Sequence, residues 1–184
     1  HKDELLDLLM FYSSTEKKLV TLSEYVDRMK EEQKFIYFAT GENAAAIDTL
    51  PQTELLRSKG FEILYCTEDV DEFTLQSLMQ YKEKKFCSAT NDDLGIENEE
   101  KEEEEKDSSA LLTFVKETLG DKVSEVTASK KLVSHPVCLT AKGGISFEME
   151  KYFNSVQPDS GMKAQRVLEL NLSHHAVKTM EELI

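Results

Sequence analysis

Glycine and proline are scarce in this 184-residue chain, at seven and three residues. That scarcity excludes a collagen-like or loop-dominated polymer. Cysteine is almost as rare. Cys66, Cys87 and Cys138 are odd in number and widely spaced, with no CxxC or CxxH pair, so a zinc site is unsupported. Each lies in an apolar, strand-like run (EILYC, FCSAT, VCLTA) and reads as a buried, reduced thiol of a cytosolic protein. Positive charge is in deficit, with 22 Lys and Arg against 36 Asp and Glu and a net charge of −14. Such a surface repels phosphate backbones, so nucleic acid is not an expected partner. No apolar run approaches the ~20 residues that span a bilayer, and the N-terminus lacks the apolar core of a secretory signal. The "KDEL" at positions 2 to 5 is no retrieval signal, because that signal is C-terminal. A cytoplasmic protein without a membrane partner is expected. The chain opens on His1 and stops within a helix-like run, HHAVKTMEELI, so a fragment of a longer protein is expected.

What is present is enough apolar material for real cores: 40% of residues are hydrophobic and 32% charged. Two small domains or one large one fit this length. Leu5, Leu8, Leu9 and Tyr12 fall on one helical face, predicting a helix over 3–12. TLSEYVDRMKEEQK (21–34) predicts a second, with Ser23 as N-cap and Glu24 in the first turn. FIYFA (35–39) is aromatic and β-branched without polar alternation, the pattern of a strand covered on both faces. A helical connection interrupted near Pro51 and closed by Gly60 leads to a strand at FEILYC, then a helix at DVDEFTLQSLMQYK, then a strand at KKFCSAT. Strand alternating with helix predicts a parallel sheet with helices packed on it. Between Asp92 and Asp107 stand ten acidic residues and two lysines, a block that cannot bury itself and reads as a solvated linker over 92–109. Beyond it the pattern predicts helix (SSALLTFVKETLG), strand (DKVSEVTAS), a more buried strand (HPVCLTA), short helix (ISFEMEKYF), strand (VLELNL) and a helix capped by Ser173. The fold class is therefore α/β: a small parallel-sheet αβα subdomain over 1–91, then a small α+β domain over 110–184.

Catalytic patterns are few. TGENAAA places one glycine at a strand-to-helix turn, but neither GxGxxG nor GxxxxGK[ST] occurs. His174 and His175 are adjacent rather than i, i+4, and the four histidines read as surface or cap residues. Glu68, Asp69, Asp71 and Glu72 cluster at a strand-to-helix turn. Paired carboxylates can do acid–base work, but favourable charge at a helix N-terminus accounts for them. No calcium-loop pattern occurs in the acidic block. One segment differs. In GGISFEMEKYF, the residues Ile145, Met149, Tyr152 and Phe153 share a helical face, with Ser146, Glu148, Glu150 and Lys151 opposite. That face either packs on its own sheet or offers an adaptable apolar surface, to which Met and aromatic side chains are suited.

LSEYVDRMKEEQKFIYFATGE and ELLRSKGFEILYCTEDVDEF resemble successive segments of the middle domain of the heat-shock protein 90 family, and KLVSHPVCL and LELNLSHHAVKTM resemble its C-terminal domain. The order is right, and the likeness covers nearly the whole chain apart from the acidic linker. The linker region looks most like the bacterial or organellar members, of the high-temperature protein G type. The resemblance implies part of an ATP-dependent chaperone. Its ATP and magnesium site, and the arginine its middle domain lends to hydrolysis, would lie before His1, so the fragment itself would carry no cofactor and no catalytic residue. Its dimerising helices would lie beyond Ile184, leaving the fragment monomeric although the whole protein is a homodimer. The partners implied are partly folded client proteins. By likeness to the family's client-contacting helix, Ile145, Met149, Tyr152 and Phe153 are candidate client-binding residues, and DEF adds Glu72, Phe73 and Gln76. Relatives often place Trp at the position of Phe73; Phe keeps a ring and loses the N–H donor. LNLSHH departs from the family's INPDH at Leu172. The alternative from the residues alone is a Rossmann-like nucleotide-binding enzyme domain with an appended α+β domain.

Overall fold

The computed structural model describes residues 6–68, 70–91, 93–96, 109–158 and 161–184. Most of the acidic stretch expected as a linker, 97–108, lies outside the described residues, as do Asp69 and the first five positions. The chain divides into two compact units, His1–Gly95 and Ile96–Ile184. Each unit joins helices to a sheet, so the architecture is mixed α/β.

The first unit contains β1 (Met10–Ser13), β2 (Leu19–Thr21), α1 (Leu22–Asp27), β3 (Ile36–Thr40), α2 (Ala44–Asp48), a 3-10 turn (Pro51–Thr53), α3 (Glu54–Ser58), β4 (Ile63–Cys66), α4 (Asp71–Leu78), β5 (Gln80–Tyr81) and β6 (Lys84–Ser88). Its six strands run in the order β2-β1-β4-β3-β6-β5. Only the centre is parallel: β3 pairs in parallel with β4 and β6. β1 pairs antiparallel with β4 and β2, and β5 with β6, so the sheet is mixed rather than wholly parallel. β3 has the double burial that its composition predicts. Ile36 and Phe38 join Phe11, Val20, Leu22, Tyr25, Leu64 and Leu75 in one core, while Tyr37 and Ala39, pointing the other way, are buried too.

The predicted helix over 3–12 is corrected at its end, because Met10–Ser13 is a strand. Phe11 and Ser13 turn inward and satisfy a period of two, which a short apolar run shares with a helix until β4 supplies a partner edge. The predicted helix over 21–34 is shorter, Leu22–Asp27, and its cap is Thr21 rather than Ser23. Thr21 accepts the Glu24 N–H at 3.2 Å while Glu24 accepts the Thr21 N–H at 2.8 Å, a reciprocal capping box.

The second unit contains α5 (Ser109–Leu119), β7 (Glu125–Ala128), β8 (Val137–Lys142), α6 (Phe147–Val156), β9 (Gln165–Leu170) and α7 (His175–Glu182). The sheet order is β7-β9-β8, with β9 parallel to β7 and antiparallel to β8. Leu111 and Val115 of α5 and Val177 of α7 pack on Val126 and Leu170. β8 is less buried than predicted: Cys138 and Thr140 are covered, but Val137 and Leu139, on the other face, are 41% and 40% exposed, the alternation of a strand with one face open to solvent. The cap of α7 is His174, whose Nδ1 accepts the Ala176 N–H at 3.1 Å, and not Ser173, whose hydroxyl donates to Asn171 Oδ1 at 2.8 Å.

Candidate functional site

The two candidate surfaces lie on α6 and α4, one in each unit. α6 begins where the Ser146 hydroxyl accepts the Met149 N–H at 3.1 Å. Ile145 therefore precedes the helix and does not share its face, which corrects the four-residue stripe predicted from spacing. Of that stripe, Met149 is buried at 8% exposure, whereas Ile145, Tyr152 and Phe153 are half-buried. The Tyr152 and Phe153 rings meet edge to face, centroids 6.0 Å apart. Val156, one turn past Tyr152, is 66% exposed.

The polar side of α6 is fastened to its own unit. Glu150 accepts from the Ala164 N–H at 2.9 Å and from Arg166 Nη2 at 3.1 Å. Arg166 also donates to the Ala164 carbonyl at 3.1 Å and lies over the Phe147 ring, 5.4 Å from its centroid. The Arg166 hydrogen bond holds the Glu150 carboxyl below the usual glutamate range, with the Ala164 N–H and the nearby Lys163 charge acting in the same direction. Sequence reasoning missed Arg166, since nothing local couples positions 150 and 166. It also missed Val156, although extending the apolar spacing by i+3 from Phe153 reaches it.

On α4 the three candidate residues separate. Glu72 is buried; Thr40 Oγ1 donates to it at 3.4 Å and Gln76 Nε2 at 3.3 Å. Phe73 is half-buried, and Gln76 is exposed, as is Val70 just before the helix. Asp71 is committed to the turn, accepting the N–H groups of Thr67 and Glu68 at 3.1 Å each. Burial, with the charges of Asp71 and Glu72 nearby, pushes the Cys66 thiol well above its ordinary range, which disfavours the thiolate.

The YVDRMK segment holds architecture together. The Tyr25 hydroxyl donates to the Glu62 carbonyl at 2.7 Å and accepts from the Tyr37 N–H at 3.0 Å and Gln33 Nε2 at 2.8 Å. Arg28 grips the buried Glu62 carboxylate with two hydrogen bonds. The second unit repeats the device: buried Lys131 lies 3.0 Å from Glu169, which also accepts from Ser129 Oγ at 2.7 Å. Gly41 is explained by packing, since a Cβ there would sit 2.8 Å from Ile47 Cγ1. Among the described residues no group of three or more His, Cys, Asp or Glu could hold a metal ion, and no helix is long and apolar enough to cross a membrane.

The fold defines a two-unit mixed α/β protein, with a helix in each unit that carries partly exposed apolar side chains. The Hsp90 protein family matches residues 1–184, and the chain belongs to that family. It is 54% identical over 184 residues to the chaperone protein HtpG of Oceanobacillus iheyensis, covering 98% of this chain and 29% of that protein. It is 51% identical to HtpG of Bacillus subtilis, covering 99% of this chain and 30% of the relative, and 50% identical to HtpG of Clostridium perfringens, covering 100% and 30%. The chain thus spans about 30% of the length of these relatives.

Proposed function

We propose that this chain is the client-holding part of an ATP-dependent chaperone, binding partly folded proteins through α6 and through Phe73 and Gln76 on α4. The observation that carries the proposal is the outer end of α6, where Tyr152, Phe153 and Val156 remain partly or largely uncovered by their own unit in a chain of the Hsp90 family. Half-covered aromatic side chains bind many unrelated apolar segments without demanding one sequence. Glu72 serves from inside by orienting Gln76. Met149 and Ile145 support the surface, one as the buried base of the stripe and the other at its entry. On this proposal ATP and magnesium are bound, and hydrolysis and homodimerisation carried out, by regions outside the 30% that this chain spans, and the whole protein works in the cytoplasm. A nucleotide-binding enzyme is not favoured: α2 has only five residues, and packing against Ile47 accounts for Gly41.

The test is suppression of aggregation of a chemically unfolded model protein by the 184-residue chain. The wild-type chain should slow aggregation. Tyr152→Ser with Phe153→Ser, and separately Phe73→Ser, should weaken this several-fold with unchanged circular dichroism. A chain that binds no unfolded protein, or folded variants that act like wild type, would overturn the proposal.

A further inference from the structure

The two faces of the first unit's sheet are covered unequally. Phe11 and Val20 lie on the face that forms the core with Tyr25 of α1 and Leu75 of α4. Met10, Tyr12 and Leu19 alternate to the other face, with Leu19 opposite Tyr12 in the register. On that face α2 meets the sheet at Tyr65, whose hydroxyl donates to Asp48, and the Tyr65 ring stacks on Tyr12 with centroids 6.0 Å apart. β1 and β2 lie past this contact, and there Met10 and Leu19 are 52% and 56% exposed. The border of the apolar patch is cationic. Lys17 Nζ and Arg57 Nη2 lie 3.5 and 3.3 Å from the Asp48 carboxylate, so two cations share one anion, and both side chains reach solvent. Lys17 stands at φ 55°, a left-handed conformation that glycine or asparagine adopts at lower cost. Positive charge in excess beside exposed methionine and leucine runs against the net charge of −14 of the whole chain.

From this we infer that the β1–β2 end of the sheet docks an acidic amphipathic segment of a partner protein. The partner's apolar side chains cover Met10, Leu19 and the Tyr12 ring, and its carboxylates face Lys17 and Arg57. Exposed apolar surface rimmed by charge is the composition of a protein-binding patch, and the sign of the rim selects the partner. A Lys- or Arg-rich segment meets like charge here. A second copy of the chain brings its own net charge of −14 and is repelled. This surface is separate from both proposed client-binding helices: α4 sends Leu75 into the core on the opposite face of the sheet, and α6 belongs to the other unit. It therefore does not depend on the client-holding reading.

The test is fluorescence anisotropy with the 184-residue chain and a labelled helical peptide that carries Leu and Phe on one side and Glu at its flanks, beside versions with Gln or Lys in place of Glu. The Glu peptide should bind most tightly and the Lys peptide least, and the affinity of the Glu peptide should fall several-fold from low to high sodium chloride. Lys17→Asn, which suits the left-handed turn, should weaken the Glu peptide about two- to fivefold and leave the Gln peptide unchanged. Met10→Thr with Leu19→Thr keeps strand-favouring side chains and should weaken the Glu and Gln peptides alike, about fivefold, at unchanged circular dichroism. Leu19→Thr alone gives the same reading if the pair lowers the melting temperature. Wild-type affinity in the folded Thr variants, or no binding by the wild-type chain, refutes the surface. Equal binding of the Glu and Gln peptides, or tighter binding of the Lys peptide, refutes the acidic partner. Tyr152→Ser with Phe153→Ser, and Phe73→Ser, should bind the Glu peptide like wild type; if they lose it, the peptide is held as a client and the docking surface fails while the client-holding reading stands. Light scattering that shows Leu19-dependent self-association without peptide would make a second copy the occupant and overturn the inference.

Discussion

Arg28 and Glu62, thirty-four positions apart, meet through two parallel hydrogen bonds of 3.0 and 2.7 Å, with the carboxylate buried. Ser13 Oγ donates to the same carboxylate at 2.5 Å, so α1, β1 and the approach to β4 are tied at one group. A bidentate guanidinium–carboxylate pair is strong because its geometry is fixed as well as charged.

Arg28→Met should therefore destabilise the first unit by about 2–4 kcal/mol, since it leaves a buried carboxylate without its cation. Adding Glu62→Gln to it should cost less than the two single changes together, with a coupling of about 1–3 kcal/mol. Urea denaturation of the four proteins measures this. Additive effects would mean the contact does not hold the unit.

In the second unit, Lys131→Met should cost about 3–5 kcal/mol by stranding Glu169. Lys131→Met with Glu169→Leu should recover much of that loss, because an apolar pair needs no compensating charge. Thermal melting checks it; a double variant worse than the single one would contradict it.

Stability should also fall in acid through Glu150. Its carboxyl titrates below the usual glutamate value in the folded chain, chiefly through Arg166. A depressed folded value means the contribution is complete above the unfolded value of about 4.3 and is lost as pH falls through the folded one. Glu150→Gln should lower stability at neutral pH and flatten its decline between about pH 5 and pH 3. An identical acid profile in the variant would remove Glu150 from the account.

Gly41→Ala should destabilise by about 1–3 kcal/mol through overpacking against Ile47. Ile47→Ala alone also costs stability by leaving a cavity, yet the two together should cost less than their sum. Equilibrium unfolding decides, and a neutral Gly41→Ala would show that Ile47 yields.

Met149→Ser should lower the melting temperature, with a loss of about 2–3 kcal/mol for a nearly buried methionine. Tyr152→Ser should lose less. Equal losses would place Tyr152 in the core and shrink the candidate surface to Phe153 and Val156.

Some of this protein was fixed by local chemistry that its sequence displays. β3 could be read from FIYFA because no polar alternation means burial on both faces, and Gly60, at φ 67°, closes α3 where its position suggested. The amphipathic character of α6 was equally legible, and so was the family. What local chemistry left open was settled by neighbours distant in sequence. MFYS is a strand because β4 offers an edge; the sheet is mixed because β1 and β5 pair antiparallel at its flanks. The α6 stripe looked like one face from Ile145 to Phe153. Packing divided it, burying Met149 and leaving Val156 in water, because spacing records which residues share a face and not how much of that face is covered. Arg28 with Glu62, Lys131 with Glu169 and Glu150 with Arg166 could not be paired from the sequence, since a charged side chain records its sign but not its partner, and only the folded chain brings the two within hydrogen-bond distance.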